Sequence, residues 1–266
     1  MKFNRNDFLA DKAHRKKKFE AGVEIQPHIP LYHGSPIMKF KPMFGKGETK
    51  HDYGAGFYTS FDLELAKAWA VCNTDGPGYV HKYLLETRDL SILAFNDVLD
   101  AKDQGILDEV DMLARPGDLG VLTWLATLAK HRKAADSRRY EINAAKLIER
   151  YYDPKIEDFD VIIGYRADDS YFSFAKQVIN GNANVCLLER MMKAGELGDQ
   201  IFIQSEKAFN NLVEVDKNEF GYSMYVENET YRPIYNERDK KARLYVNNLL
   251  RSDENDLSDT IEKYLD

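Results

Sequence analysis

Two short glycine-bearing segments constrain the fold of this chain more than any other feature of its sequence. The first, Leu31-Tyr32-His33-Gly34-Ser35, predicts an apolar strand that ends in a histidine directly before a Gly-Ser turn. The second, Tyr53–Ser60, carries glycines at positions 54 and 56 ahead of the strand pattern Phe57-Tyr58-Thr59. Asp62 then takes the N-cap position of an apolar helical pattern. The chain therefore needs two glycine-bearing strands, the second of which leads into a helix.

Further strand patterns occur both early and late in the chain, with a mostly helical block over residues 89–152 between them. The remaining predicted strands cover 79–86, 159–164 and 200–204, and helices are predicted at 119–128, 140–152, 173–179, 185–194 and, as a short turn, 206–212. This order predicts an α+β fold with a helical insertion at about 96–155.

The ends of the chain differ from its centre. Residues 1–28 form a basic arm or helix around Arg15–Lys18, which is either a solvated face or a contact for nucleic acid or an acidic partner. We predict an α+β domain over 29–213 and a C-terminal extension over 214–266 that is charged helix from about residue 238. The loop 36–52 is rich in glycine and lysine, and it either covers a ligand or is simply flexible.

Composition excludes several classes of function. A net charge of -7 over 266 residues argues against a whole surface built for nucleic acid. The two cysteines, Cys72 and Cys186, lie far apart, and the histidines are scattered, so neither a disulfide framework nor a metal site is expected. No stretch reaches the roughly 18 apolar residues that cross a bilayer. We expect a cytoplasmic protein with no membrane partner.

The two segments carry the residue types that a pocket for a flat, amide-bearing ring on a ribose requires. His33 can hydrogen-bond a ribose hydroxyl, and Tyr58 offers a flat face for stacking. The backbone of Gly34 can approach a carboxamide closely because no side chain intervenes, and Ser35 adds a hydroxyl. Each residue alone has an ordinary structural explanation, and the spacing of the two segments favours a shared pocket.

Tyr32-His33-Gly34-Ser35 resembles the first motif of the diphtheria-toxin and poly-ADP-ribose-polymerase branch of the ADP-ribosyltransferases, and Tyr53–Tyr58 resembles the second. This resemblance implies a split mixed and antiparallel sheet, and NAD as co-substrate. The residues that it implies for NAD binding in these motifs are Tyr32, His33, Gly34, Ser35, Gly56, Phe57 and Tyr58.

The chain resembles more closely a bacterial family of uncharacterised domains, DUF3990, over about residues 29–213. The matching segments are the two motifs above, a Gly-bearing strand over 160–164 followed by Ala167-Asp168-Asp169, and a late strand led by Asp199-Gln200. The resemblance implies a place for Asp168 and Asp169 in ligand binding, and the two aspartates would equally serve as N-cap residues of the next helix.

The resemblance implies a third functional position at Gln200, where enzymes of this branch often carry a glutamate. A glutamine can hydrogen-bond a ribose hydroxyl, and it cannot take up a proton. The implied catalytic set is therefore His33, Tyr58 and Gln200. The acceptor would either be nucleophilic already or be activated by another carboxylate, from Glu206 or the Asp168-Asp169 pair.

These residues together imply an NAD-dependent mono-ADP-ribosyltransferase, a glycosyltransferase that acts on the nicotinamide–ribose bond. The expected acceptor is a macromolecule, either protein or nucleic acid. Because bacterial transferases of this kind often serve as toxins or phage-defence effectors, an antitoxin or regulatory partner is also expected. The alternative is a non-catalytic module that binds NAD or ADP-ribose.

Overall fold

A computed structural model describes residues 28–47, 49–95, 112–114, 117–132, 137–167, 169–196, 198–214 and 223–265. The basic stretch Arg15–Lys18 lies outside the described residues. Nine strands and eight α-helices occur within them. The strands are His28–Ser35 (β1), Phe57–Ser60 (β2), Gly78–Glu86 (β3), Ile92–Ala94 (β4), Met112–Ala114 (β5), Val161–Tyr165 (β6), Asp199–Ile203 (β7), Leu212–Glu214 (β8) and Ser223–Val226 (β9).

The described residues also form eight α-helices. They are Leu63–Val71 (α1), Gly117–His131 (α2), Arg138–Tyr151 (α3), Asp169–Ile179 (α4), Leu188–Lys193 (α5), Glu206–Asn210 (α6), Asn228–Leu250 (α7) and Glu262–Leu265 (α8). Short 3₁₀ turns occur at Pro154–Asp158 and Val185–Leu187. The side chain of Asp62 accepts hydrogen bonds from the backbone N–H groups of Glu64 and Leu65, which confirms its predicted role as the N-cap of α1.

All nine strands form one mixed sheet, in the order β5-β4-β6-β7-β2-β1-β3-β8, with β9 also paired to β3. Strand β4 runs parallel to both β5 and β6, and the other neighbours are antiparallel. The prediction of a mixed α+β fold is therefore confirmed.

The sheet is nearly divided between β1 and β2. Strand β1 pairs with β3 along its whole length, and β2 pairs with β7 along its whole length. Between β1 and β2 the register contains a single pair, Tyr32 with Ser60. Beyond this pair the two strands diverge, and the fork between them opens toward the end of β1 and the start of β2.

Side chains alternate across the sheet, as the two-residue repeat of a strand requires, and strand β2 contributes to a different core on each face. Tyr58 and Phe202 lie on the face covered by helices α2 to α5, where Trp124 is fully buried. Phe57 and Ile203, one residue along, lie on the opposite face. Strand β2 therefore sends alternate residues into two cores.

The mostly helical block predicted over residues 89–152 also contains two strands that the sequence pattern did not indicate. Residues 92–94 form β4 and residues 112–114 form β5, each beside another strand. Strand β4 is buried at every residue, so its apolar run shows no alternation, and periodicity alone cannot distinguish such a run from a helical segment.

The C-terminal region is also more regular than predicted. A strand, β9, precedes helix α7, which begins at Asn228 and not near residue 238. Pro233 lies inside this helix and weakened the helical pattern. Ala242, Val246 and Leu249 recur at helical spacing and are buried in the core that contains Trp124. The region therefore packs against the sheet domain.

Helix α4 begins at Asp169, about one turn before the predicted start. In the part of the chain that the structure describes, no helix combines the length and the apolar character that crossing a bilayer requires.

Candidate functional site

A cavity of about 570 Å³ lies at the fork between β1 and β2. His33, Tyr58 and Gln200, which come from three different strands, all line it. Four other predicted binding residues also line it, namely Tyr32, Gly34, Gly56 and Phe57. The structure thus brings together the three predicted catalytic residues and most of the predicted ligand contacts.

The other predicted residues lie elsewhere. Ser35 is buried, and its hydroxyl accepts a hydrogen bond from the backbone N–H of Ile37. Glu206 is exposed at the start of α6 and does not line the cavity. Asp168 lies outside the described residues, and Asp169 begins α4 with a side chain that the structure does not describe.

The imidazole of His33 spans the fork. Its Nδ1 lies 2.8 Å from the carbonyl oxygen of Tyr58, and because a carbonyl only accepts, Nδ1 carries the proton and donates it. Desolvation lowers the pKa of His33 to about 4. At neutral pH the ring is therefore uncharged, and Nε2 is a hydrogen-bond acceptor.

Packing fixes the orientation of this imidazole. Its centroid lies 4.6 Å from that of Phe40 and 4.8 Å from that of Phe57. A ring packed against two aromatic neighbours and tied by Nδ1 has few accessible rotamers, so the direction of Nε2 is preset.

Tyr58 is tied to the loop that precedes its own strand. Its hydroxyl donates to the carbonyl oxygen of Gly54 at 2.8 Å and accepts from the backbone N–H of Tyr53 at 3.1 Å. Phe202 packs against the ring at 4.7 Å between centroids. Desolvation raises the pKa of this phenol above its ordinary value, so it stays neutral. Tyr58 offers the cavity part of its ring, and its hydroxyl is already bonded within the fold.

Gln200 is a buried polar residue whose side-chain oxygen lacks a hydrogen-bond donor among the described residues. It lies opposite Ser60 on β2 and Gly164 on β6. Its Oε1 atom is buried and has no hydrogen-bond partner among the described residues. A buried acceptor without a partner costs about 1–3 kcal/mol.

Two glycines of the motifs are required by packing. A Cβ on Gly34 would lie 2.2 Å from the carbonyl oxygen of Ala66 in α1. A Cβ on Gly56 would lie 2.6 Å from the carbonyl oxygen of Ile203 in β7. The absence of a side chain at each position thus allows close backbone approach within the fold, whether or not a ligand also benefits.

Trp69 also lines the cavity, although its place in an apolar helical pattern does not mark it as a site residue. It lies on α1 one turn after Ala66, and both line the cavity. The guanidinium of Arg166 stacks on the indole at 4.4 Å from its centroid. The indole Nε1 is buried without a hydrogen-bond partner in the described part of the chain. The i, i+3 spacing of the two residues is the signal that would have placed them on one face.

The charged residues around the cavity are mostly cationic. Lys41 and Lys46 come from the loop 36–52, whose residues therefore form one wall of the cavity. Arg132, directly after α2, and Arg166, directly after β6, also line it. Asp52 is the one acid among the described lining residues, and it forms an ion pair with Arg132. The cavity thus suits an anionic ligand.

The described residues contain no group of three or more histidine, cysteine, aspartate or glutamate side chains able to hold a metal ion.

Comparison with known proteins gives one match. The model of a family described as a protein of unknown function, DUF3990, matches residues 29–104 and 118–213. No curated protein and no solved structure matches the chain significantly.

Proposed function

The chain belongs to the DUF3990 family, and we propose that its cavity binds NAD and that the protein is a mono-ADP-ribosyltransferase. In this proposal ADP-ribose passes to a macromolecular acceptor, and nicotinamide is released. The meeting of His33, Tyr58 and Gln200 at one fork in the sheet carries the proposal. The wider resemblance to ADP-ribosyltransferases rests on the same residues and stays a prediction.

The residues present suit the parts of NAD. The indole of Trp69 and the ring of Tyr58 are flat apolar surfaces for the nicotinamide ring. Lys41, Lys46 and Arg166 supply positive charge for the diphosphate. A volume of about 570 Å³ lies within the usual range of about 300–1,000 Å³ for ligand sites.

The chain's own residues can orient the ribose. Nε2 of His33 accepts a hydrogen bond from one ribose hydroxyl, because Nδ1 is already committed to Tyr58. The Oε1 atom of Gln200 accepts from another hydroxyl and gains the partner that it lacks within the fold. With the ribose held, the bond from its C1′ to the nicotinamide nitrogen can break, and nicotinamide leaves as a neutral ring with the bonding electron pair. Fixed orientation contributes to rate because the entropy of alignment is lost on binding.

A second function follows from the same glutamine. Because an amide cannot take up a proton, the cavity would also suit a module that binds NAD or ADP-ribose without cleaving it. Calorimetry with NAD, combined with chromatography of the products, separates the two functions. Binding without nicotinamide release would favour the module.

Transfer is tested by incubating the pure protein and a cell lysate with NAD labelled on its adenylate. We expect label in macromolecules, together with free nicotinamide, and loss of both with His33→Ala. Digestion of the labelled product with protease or nuclease then identifies the acceptor as protein or nucleic acid. Asp75→Asn, an exposed change in the turn after α1, is the matched control. No transfer and no nicotinamide across a broad range of pH and salt would refute the proposed activity.

A role as a toxin or defence effector is tested by expression in bacteria. We expect the wild-type chain to slow growth and His33→Ala to restore it at equal protein level. Equal growth of the two strains would argue against that role.

A further inference from the structure

The cavity contains a carboxylate that no sequence motif marks. Asp52 lies in the loop just before β2, is 4% exposed, and lines the cavity beside Tyr58. The acids considered from the sequence do not supply this group: Glu206 is outside the cavity lining, and Gln200 carries an amide. Asp52 is thus the acidic side chain that the described residues place at the site.

Two partners hold this carboxylate in a fixed position. Oδ1 accepts a hydrogen bond from Nη1 of Arg132 at 3.1 Å, and Oδ2 accepts from the backbone N–H of Ala167 at 2.8 Å. Arg132 also donates to the carbonyl oxygen of Ala167. A carboxylate has about four lone-pair directions, so two remain for a proton or a ligand hydroxyl. The contacts fix the rotamer and leave capacity for chemistry.

The surroundings of Asp52 act on its pKa in opposite directions. Burial raises its pKa to about 7, and the Ala167 N–H and the guanidinium groups of Arg132 and Arg166 act in the opposite direction. The phenols of Tyr53 and Tyr58 also face it, and both have pKa values raised above the ordinary one. A carboxylate with a pKa near neutrality both accepts and releases a proton at physiological pH.

We propose that Asp52 is the general base of the transfer reaction, which rests on the proposed function of the cavity. The acceptor nucleophile, a hydroxyl or an amine, forms a bond to C1′ of the ribose. The bond from C1′ to the nicotinamide nitrogen breaks, and nicotinamide leaves with that electron pair. The proton of the acceptor passes to Asp52, which later releases it to solvent. No oxidant, reductant or further reactant is needed.

Asp52 also has a structural role, since it joins the loop before β2 to the end of α2 and to the segment after β6. A purely structural residue would change stability and NAD affinity together, and would leave the pH profile of turnover unchanged. A general base controls that profile, so the pH dependence separates the two roles.

The test measures nicotinamide release at saturating NAD between pH 5 and 9, with the cell lysate of the transfer assay supplying the acceptor. For the wild type we expect kcat to rise with pH up to about 7 and then to level, because Asp52 must be ionised. Asp52→Asn is expected to lower kcat at pH 8 by about 100-fold or more and to abolish the rise. The Kd of Asp52→Asn for NAD, measured by calorimetry, is expected to stay within about threefold of the wild-type value. Asp75→Asn serves as the control.

A second variant keeps Asp52 and changes its environment. Arg132→Gln removes the adjacent positive charge, so the acidic limb of the profile is expected to move to higher pH by about one unit. If Asp52→Asn does not fold, this shift decides the question alone. An unmoved limb, or an Asp52→Asn profile like that of the wild type, would overturn the role of Asp52 while leaving the proposed function intact. An inactive wild type would overturn both.

Discussion

Replacing Gly34 with alanine separates packing from ligand contact at the first motif. The added Cβ would lie 2.2 Å from the carbonyl oxygen of Ala66 and 2.7 Å from the backbone nitrogen of Ala70. Both atoms belong to the backbone of α1, so no side-chain rotation relieves the contact. Ordinary contact begins at about 3.4 Å, so α1 must move by roughly 1.2 Å, the difference between 3.4 and 2.2 Å.

Overpacking of a core typically costs about 1–3 kcal/mol, and two backbone contacts place this change at the upper end. A loss of about 3 kcal/mol in the free energy of unfolding corresponds to a fall in Tm of roughly 6–12 °C for a domain of this size. Trp69 moves with α1, and a displacement of about 1 Å in a positioned group can reduce turnover by about 100-fold.

Urea and thermal unfolding measure the stability, and nicotinamide release measures the consequence for the cavity. Gly76→Ala is the matched control, because the nearest atom to its added Cβ is a threonine hydroxyl at 3.7 Å and no positive φ is involved. Unfolding of Gly34→Ala within about 0.5 kcal/mol of the wild type would refute the packing argument. Unchanged stability with weaker NAD binding would show that Gly34 serves the ligand.

Three further predictions follow from the same geometry. Gln200→Leu should raise the free energy of unfolding by about 1 kcal/mol, because a buried unsatisfied acceptor is removed. The same change should weaken NAD binding about tenfold. Urea unfolding measures the stability and calorimetry measures the binding, and a lower stability would contradict this prediction. The lowered pKa of His33 keeps its ring neutral from pH 5 to 8. NMR of ¹⁵N-labelled imidazoles should therefore show the Nδ1–H tautomer over this range, with protonation only as the pH falls toward about 4. A titration midpoint near pH 6.5 would contradict this prediction. Asp62→Ala removes the N-cap of α1 and should cost about 0.5–2 kcal/mol in urea unfolding, whereas an unchanged midpoint would show that the cap contributes nothing.

Much of the sheet could be predicted because its central strands have clear local signals. Strand β2 alternates between two cores, and turn residues or an N-cap bound the elements around it. Strands β4 and β5 lacked such signals: each has three residues, and β4 has no polar face. Their partners are distant in the sequence, so only tertiary pairing identifies them as strands.

In the candidate site, too, some residues have a local sequence signal and others are identified only by tertiary contacts. His33 and Tyr58 could be selected because each lies in a glycine-bearing motif. Trp69 was hidden in an apolar helical pattern that also predicts a buried core residue. Asp52 and Arg132 form an ion pair across 80 positions of sequence, and no local pattern reveals such a pair.

A structure of the protein with an NAD analogue that resists cleavage would show whether the cavity is an NAD site. We predict the nicotinamide ring in the fork between β1 and β2, with ribose hydroxyls within about 3.2 Å of Nε2 of His33 and Oε1 of Gln200. Binding outside this fork, or no binding at millimolar analogue, would contradict it.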